Sequence, residues 1–143
     1  TALLGILVHG AEAVRDQRIE TFYKGPDKAK FPKQAIFWRS ESTWPSVKGN
    51  LEGLSALLET SGMVELLQEK DRPVVTEIQS TLKSMIELSA TITPDLEKAV
   101  SDEAERRKLD TLLADGKNVI TRLNDGYGGA IGLSSGFSFA DGD

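Results

Sequence analysis

The chain has 143 residues, 39% of them hydrophobic and 27% charged, and it carries a net charge of −5 with no cysteine. This length and apolar content predict one domain, residues 1–143, with a single core. The acidic balance argues against broad nucleic-acid binding, which needs a clustered basic surface, and the lack of cysteine excludes a disulfide, a cysteine-ligated zinc ion and a thiol nucleophile.

The first predicted element is a helix from Ala2 to about Tyr23. Its apolar residues return every third or fourth position, and Gly25-Pro26 ends the pattern. No apolar run approaches the ~20 residues of a membrane-spanning helix. The chain begins on apolar helical residues without an initiating Met, a basic leader or a cap, so we expect a processed or excised part of a longer protein.

A long basic loop is predicted after this helix. The segment KGPDKAKFPKQAIFWRSESTWP has three prolines and no sustained period. Loops of this length inside a compact domain are often functional. We expect the aromatic residues Phe37, Trp38 and Trp44 to close one end of the fold. The loop is basic although the protein is acidic, because two carboxylates, Asp27 and Glu41, face five cations: Lys24, Lys28, Lys30, Lys33 and Arg39.

Three more helices follow in the predicted order. The second begins at a Ser42 or Thr43 cap with Pro45 in its first turn and is interrupted at Ser61-Gly62. The short apolar segment MVELLQ precedes the third helix, which opens with Asp71 and Pro73.

The fourth helix is predicted from a Thr93 cap to about Asn124. Its segment SDEAERRK lacks large apolar residues, which favours a break there. Residues Gly126 to Asp143 form a glycine-rich tail that Phe137 and Phe139 could anchor. We therefore predict an all-α fold, an up-and-down four-helix bundle with a long basic loop after helix 1 and a Gly-rich C-terminal tail.

The only histidine, His9, lies three residues before Glu12, so the two share a helix face. An imidazole and a carboxylate one turn apart can supply two ligands to iron or zinc. Two ligands do not complete a site, and ordinary local hydrogen bonding is the alternative. Both interpretations stay open from the residues alone.

Three other patterns in the sequence are candidate sites. Ser40 and Ser42 have no nearby base, so they are expected to act at a helix start and not as nucleophiles. Arg15 and Arg18 fall on neighbouring positions of one face, either as a solvated salt-bridging surface or as a contact to a carboxylate in a cleft. The sequence GYGG, residues 126–129, follows a helix instead of opening one, so it does not predict a phosphate loop.

Three segments together resemble the C-terminal half of an imelysin-family protein, of the insulin-cleaving membrane peptidase type. They are RDQRI at the end of the first helix, FWRSESTWPSVKGNLEGLSALL after the loop, and the ending GFSFADGD at Gly136 to Asp143. The ending is the most specific of the three.

The resemblance implies a bacterial envelope protein, periplasmic or lipid-anchored, that is linked to iron or haem uptake and built from two related helical bundles. The family's Gly-x-His-x-x-Glu motif is absent here, because Leu7 stands where the motif has glycine. His9 and Glu12 lie on the helix that would be the pseudo-symmetric counterpart, in this bundle, of the helix that carries the motif in the N-terminal bundle. On the family's pattern Arg18 faces the cleft between the bundles, and Arg39 and Ser40 border it.

Three functional hypotheses follow. In the first, the chain is the C-terminal bundle, which packs on an N-terminal bundle and lines a cleft for iron, haem or a peptide. In the second, it is a metallopeptidase domain with iron or zinc near His9 and Glu12. In the third, it is a helical partner-binding scaffold without a small-molecule site. We favour the first.

Overall fold

The computed structural model describes residues 2–132. Four long helices dominate it. They are α1 (Ala2–Glu12), α2 (Thr43–Thr60), α3 (Pro73–Ser89) and α5 (Glu103–Thr121), with the shorter α4 (Leu96–Ser101) and α6 (Gly128–Ala130). Within the described residues there is no strand beyond a single bridge between Tyr23 and Lys30, so the prediction of an all-α fold is confirmed.

The four long helices contact one another in a closed ring. α2 packs on α3, α3 on α5, α5 on α1 and α1 on α2. Side chains from all four meet at the centre, where the apolar faces are buried: Leu7, Ala11, Leu54, Leu58, Ile78, Leu82 and Val119, with Leu123 just after α5. This ring is the neighbour arrangement of a four-helix bundle. The up-and-down direction of the helices stays a prediction.

Two of the long helices widen into π-helical segments at their C-terminal ends. α1 continues as Ala13–Ile19 and α5 as Arg122–Tyr127. In the first of these, the Glu20 N–H donates to the Arg15 carbonyl at 2.9 Å, a bond that spans five residues. The regular helix therefore ends earlier than the predicted Tyr23, because the hydrogen-bond spacing changes before the chain leaves the bundle.

The fourth predicted helix is two helices, and its predicted cap was wrong. The break falls inside SDEAERRK, as expected, where Asp102 accepts a hydrogen bond from the Glu105 N–H. The cap of α4 is Asp95 and not Thr93, because the Asp95 carboxylate accepts from the N–H groups of Glu97 and Lys98. A carboxylate in this position satisfies two N–H groups of the first turn and opposes the helix dipole.

The beginning of the predicted tail is helical. Tyr127 is buried, and its hydroxyl donates to the Met63 carbonyl at 2.8 Å. This anchor holds Gly126 to Ala130 on the body of the protein, so the prediction of a non-periodic tail from Gly126 was wrong for these residues. Phe137, Phe139 and the GFSFADGD ending lie outside the described residues.

The long basic loop is held to the bundle at its two ends. Tyr23 is fully buried, and its hydroxyl donates to Asp110 Oδ1 at 2.5 Å. Trp44 is buried edge-on against Phe22, with ring centroids 5.8 Å apart. Phe37 does not help to close this end as predicted, because 55% of it is exposed. Between the anchors the loop makes two 3-10 turns, Pro32–Gln34 and Trp38–Ser40.

Neither predicted cap of α2 uses its side chain on the helix. The Ser42 hydroxyl donates to the Ser40 carbonyl at 3.2 Å, and the Thr43 hydroxyl donates to the Ile36 carbonyl. Both side chains therefore fasten the incoming loop instead of the first turn of α2.

Candidate functional site

A groove of about 300 Å³ runs between α1, its π-helical extension and α2. Its walls combine small and aliphatic residues with one cation and one amide. The lining residues are Gly10, Ala13, Val14, Arg18, Gly49, Asn50, Gly53, Leu54 and Leu57. We name it the α1–α2 groove.

Glycines give the α1–α2 groove its shape. A Cβ on Gly10 would lie 2.5 Å from Leu54 Cδ2, so this glycine lets α1 and α2 approach closely. A Cβ on Gly49 or Gly53 would meet no atom within 4 Å. These two residues are exposed and leave the backbone of α2 open on the groove side.

Arg18 is the one charged residue that lines this groove. Arg18 is half-buried, and its Nε lies out of contact with solvent without a hydrogen-bond partner among the described residues. A buried guanidinium N–H without an acceptor is costly, because its desolvation is not compensated. A carboxylate brought by a ligand or a partner would remove this cost.

Arg15, one turn earlier, is fully engaged inside the chain. Its Nε donates to the Leu113 carbonyl at 3.0 Å, and its Nη1 donates to Asp16 and Glu20 at 2.8 and 3.1 Å. The two arginines that the sequence assigned to one face therefore serve different neighbours. Arg15 fixes the π-helical segment to α5, while Arg18 lines the groove beside α2.

Arg39 borders a different depression, on the basic loop, and Ser40 follows it in the chain. The Arg39 guanidinium stacks over the Trp38 ring, 5.2 Å from its centroid, and borders a depression with Glu41, Asp95 and Glu97. The exposed Ser40 hydroxyl donates to the Phe37 carbonyl at 3.2 Å. Neither residue lines the α1–α2 groove, so on this chain the structure does not bring them together with Arg18.

His9 and Glu12 form a local pair on α1. His9 Nδ1 lies 3.7 Å from Glu12 Oε2, and the histidine side chain is 52% exposed. Among residues 2–132 no group of three or more histidine, aspartate or glutamate side chains is placed to hold a metal ion. The donors on this part of the chain therefore do not fit a zinc or iron site, which would need at least a third ligand.

The sequence interpretation missed Gly49, Asn50 and Gly53. Their signal was present in KGNLEGL, where two glycines four residues apart share one helix face. An amphipathic pattern identifies the leucines that point inward, and by itself it does not single out small residues on the outward side.

None of the helices in the described part is both long enough and apolar enough to cross a membrane. The candidate site is therefore a groove on an all-α bundle. Small residues line its walls, and the Nε of Arg18 in it has no hydrogen-bond partner among the described residues. These features define the chain as an all-α bundle with a surface groove.

The family model for imelysin, peptidase family M75, matches residues 1–123, so the chain belongs to the imelysin family. No curated protein and no solved structure gives a significant match. The family assignment confirms the resemblance drawn from the sequence.

Proposed function

We propose that this chain is a helical bundle of an imelysin-type protein of the bacterial envelope that serves iron or haem uptake. In this proposal the α1–α2 groove receives another helical bundle of the same protein, and Arg18 contributes to the cleft between them. The observation that carries the proposal is the buried Arg18 Nε, which has no acceptor among the described residues.

The surface of the α1–α2 groove suits a helix from a partner bundle. Small residues permit close approach of two helix backbones, and Gly49 and Gly53 leave open space beside α2. Leu54 and Leu57 are only partly buried and add apolar area along the same walls. A partner helix would cover this area and exclude water from Arg18.

The partner's expected chemistry at Arg18 is a carboxylate. A guanidinium binds a carboxylate through two parallel hydrogen bonds, which gives both affinity and a fixed orientation. The same arginine can instead meet a carboxylate of a ligand in the cleft, such as a haem propionate or a peptide terminus. Arg39 and Ser40 remain proposed cleft residues in the assembled protein.

Association of separately produced bundles tests the docking. We expect the N-terminal bundle of the same gene product to bind this chain, and Gly53→Leu to abolish binding because leucine fills the open space. Gly129→Leu is the matched control, since Gly129 is also exposed with no atom within 4 Å of an added Cβ. Unchanged affinity of the Gly53→Leu variant would show that the partner docks elsewhere.

Arg18→Ala tests the electrostatic part of the proposal. Loss of one partner of a buried charge pair costs about 2 kcal/mol or more, so the affinity should fall by at least ~30-fold. Arg107→Ala is the control, because Arg107 lies on the exposed surface and its ion pair within residues 2–132 is with Glu103. Equal affinities for both variants would exclude a carboxylate contact at Arg18.

The iron or haem role has its own test. A strain that lacks the gene should grow poorly under iron limitation, and the wild-type gene should restore growth better than the Arg18→Ala gene. Normal growth of the deletion strain on every iron source would contradict the role without affecting the docking result.

Metallopeptidase activity is the second candidate, and the spacing of His9 and Glu12 on one face of α1 is what favours it. Any further ligands would come from outside the described residues. Metal analysis of the purified protein and of its His9→Ala variant tests it. Unchanged metal content in the variant would remove this candidate and leave the binding role.

A further inference from the structure

The basic loop displays aromatic side chains and cations on one outward surface. Phe31 and Phe37 are 40% and 55% exposed, which is unusual for side chains of this size in the same short segment. Two neighbouring depressions share Pro32, one with Phe31 and Lys33 and the other with Trp38 and Arg39. We name these residues, together with the exposed Lys28 of the same loop, the loop patch.

The cations of the loop patch are gathered around an aromatic ring. Lys33 Nζ and the Arg39 guanidinium lie 5.7 and 5.2 Å from the centroid of the Trp38 ring. Both cations therefore lie against the same partly buried ring.

The cations of the loop outnumber its carboxylates. Between residues 24 and 39 there are five cations and one carboxylate. Within the described part of the chain no ion pair joins any of the five to a carboxylate. Glu41, Asp95 and Glu97 border the depression beside Arg39, so the excess positive charge lies on the lysines of the loop, Lys24, Lys28, Lys30 and Lys33.

The backbone at Phe37 is held in a conformation that a bulky residue rarely adopts. Its φ is 59°, and its carbonyl accepts hydrogen bonds from the Ser42 N–H and the Ser40 hydroxyl, both at 3.2 Å. Such strain persists only where the surrounding contacts enforce it. Here they enforce the exposure of an apolar ring, which contributes nothing to the core.

We propose that the loop patch is a docking surface for an anionic lipid membrane, a role separate from that of the α1–α2 groove. Phe31 and Phe37 enter the boundary between headgroups and acyl chains, while Lys28 and Lys33 remain at the level of the lipid phosphates. The remainder of the protein is strongly acidic, so an anionic bilayer attracts this surface and repels the others.

A lipid surface fits the loop patch better than an acidic protein does. The two phenylalanines immediately precede the short 3-10 turns Pro32–Gln34 and Trp38–Ser40, and both rings are exposed. Shallow insertion of exposed rings beside lysines is how peripheral proteins reach an interface.

Vesicle sedimentation of this chain tests the proposal. We expect binding to vesicles of phosphatidylcholine mixed with phosphatidylglycerol, weak binding to phosphatidylcholine alone, and loss of binding in high salt. Lys28→Gln with Lys33→Gln should lower the partition coefficient by about 25-fold, ~5-fold per lysine. The matched control replaces the exposed Lys70 and Lys117 by Gln and should leave binding unchanged.

The aromatic contribution is measured with Phe31→Ser and Phe37→Ser together, which should lower partitioning by about tenfold or more. Leu66→Ser is the control, because Leu66 is 74% exposed but lies outside the loop patch. Circular dichroism confirms that each variant is folded. No binding to the mixed vesicles, equal binding to both vesicle types, or equal losses in control and test variants would overturn the proposal, whether or not an acidic protein binds the loop.

Discussion

At the scale of single residues, Tyr23 has the clearest structural role. It is buried and joins the basic loop to α5 through its hydrogen bond to Asp110. We expect Tyr23→Phe to lower the free energy of unfolding by about 1.5–3 kcal/mol, the range for a hydrogen bond to a charged group. Urea denaturation measures this. A double-mutant cycle with Asp110→Asn isolates the pair, and additive effects would contradict a direct interaction.

The same tyrosine predicts how stability depends on alkaline pH. Burial raises the pKa of Tyr23, and the neighbouring Asp110 carboxylate raises it further. The unfolded chain ionises near pH 10, whereas the folded protein holds the proton to higher pH, so this stabilisation is complete below about pH 10 and is lost above it. The free energy of unfolding should therefore fall above this pH in urea titrations.

Burial also raises the pKa of Tyr127, so both tyrosines contribute to this loss. Tyr23→Phe should make the fall in stability less steep, because only one of the two phenols then ionises on unfolding. Identical alkaline slopes for the variant and the wild-type protein would show that Tyr23 is not involved.

At the scale of elements, the structure differs from the sequence prediction in the residue that caps α4. Asp95→Ala should cost about 1 kcal/mol of stability, because two N–H groups lose their acceptor. Thr93→Ala is the control, since the Thr93 backbone N–H, which this change keeps, is what bonds to Glu105. A larger effect at Thr93 than at Asp95 in thermal or urea melts would restore the original assignment.

Substitution of two helical glycines by alanine should change the free energy of unfolding in opposite directions. Gly53→Ala should raise the free energy of unfolding by up to ~1 kcal/mol, because alanine favours the helix and meets only open space. Gly126→Ala should lower it by about 1–3 kcal/mol, since the new Cβ would lie 2.7 Å from Cγ2 of the stiff Val74 side chain. Urea denaturation of both variants compares the signs, and equal signs would contradict the packing.

At the scale of the whole molecule, the centre of the bundle sets the stability. Ile78 is fully buried where α1, α2, α3 and α5 meet. Ile78→Ala should lower the free energy of unfolding by about 2–5 kcal/mol, whereas Leu66→Ala at the exposed surface should change it by less than ~0.5 kcal/mol. Both variants should unfold in one transition. Two separate transitions would show that the helices do not share one core.

The repeat of apolar residues every three or four positions predicted the helical class and the order of the long helices, whereas short motifs carried the imelysin resemblance. The repeat succeeded because burying one face of a helix is a local, periodic demand that the sequence must meet. The break at Asp102 was also predictable, since a stretch without large apolar residues cannot contribute to the core.

Other features depend on contacts between residues far apart in the chain. Tyr127 extends the last helix because it reaches Met63, and the Thr93 N–H is hydrogen-bonded to Glu105 on α5. In the candidate site, too, some features are predictable from the sequence and others depend on tertiary contacts. The family's pattern predicted that Arg18 faces a cleft between bundles, and this role stays a prediction. The unsatisfied Nε of Arg18, the open glycines of α2 and the separation from Arg39 arise only when α1 and α2 pack together.

By itself the sequence determined that this chain is a helical bundle of the imelysin family, because periodicity and short motifs are properties of the chain alone. Tertiary structure decided which polar groups are satisfied and which are left without partners. Hydrogen bonds form between atoms that only the folded arrangement brings within reach, and it is that arrangement which leaves Arg18 unsatisfied in a groove and keeps Phe31 and Phe37 at the surface.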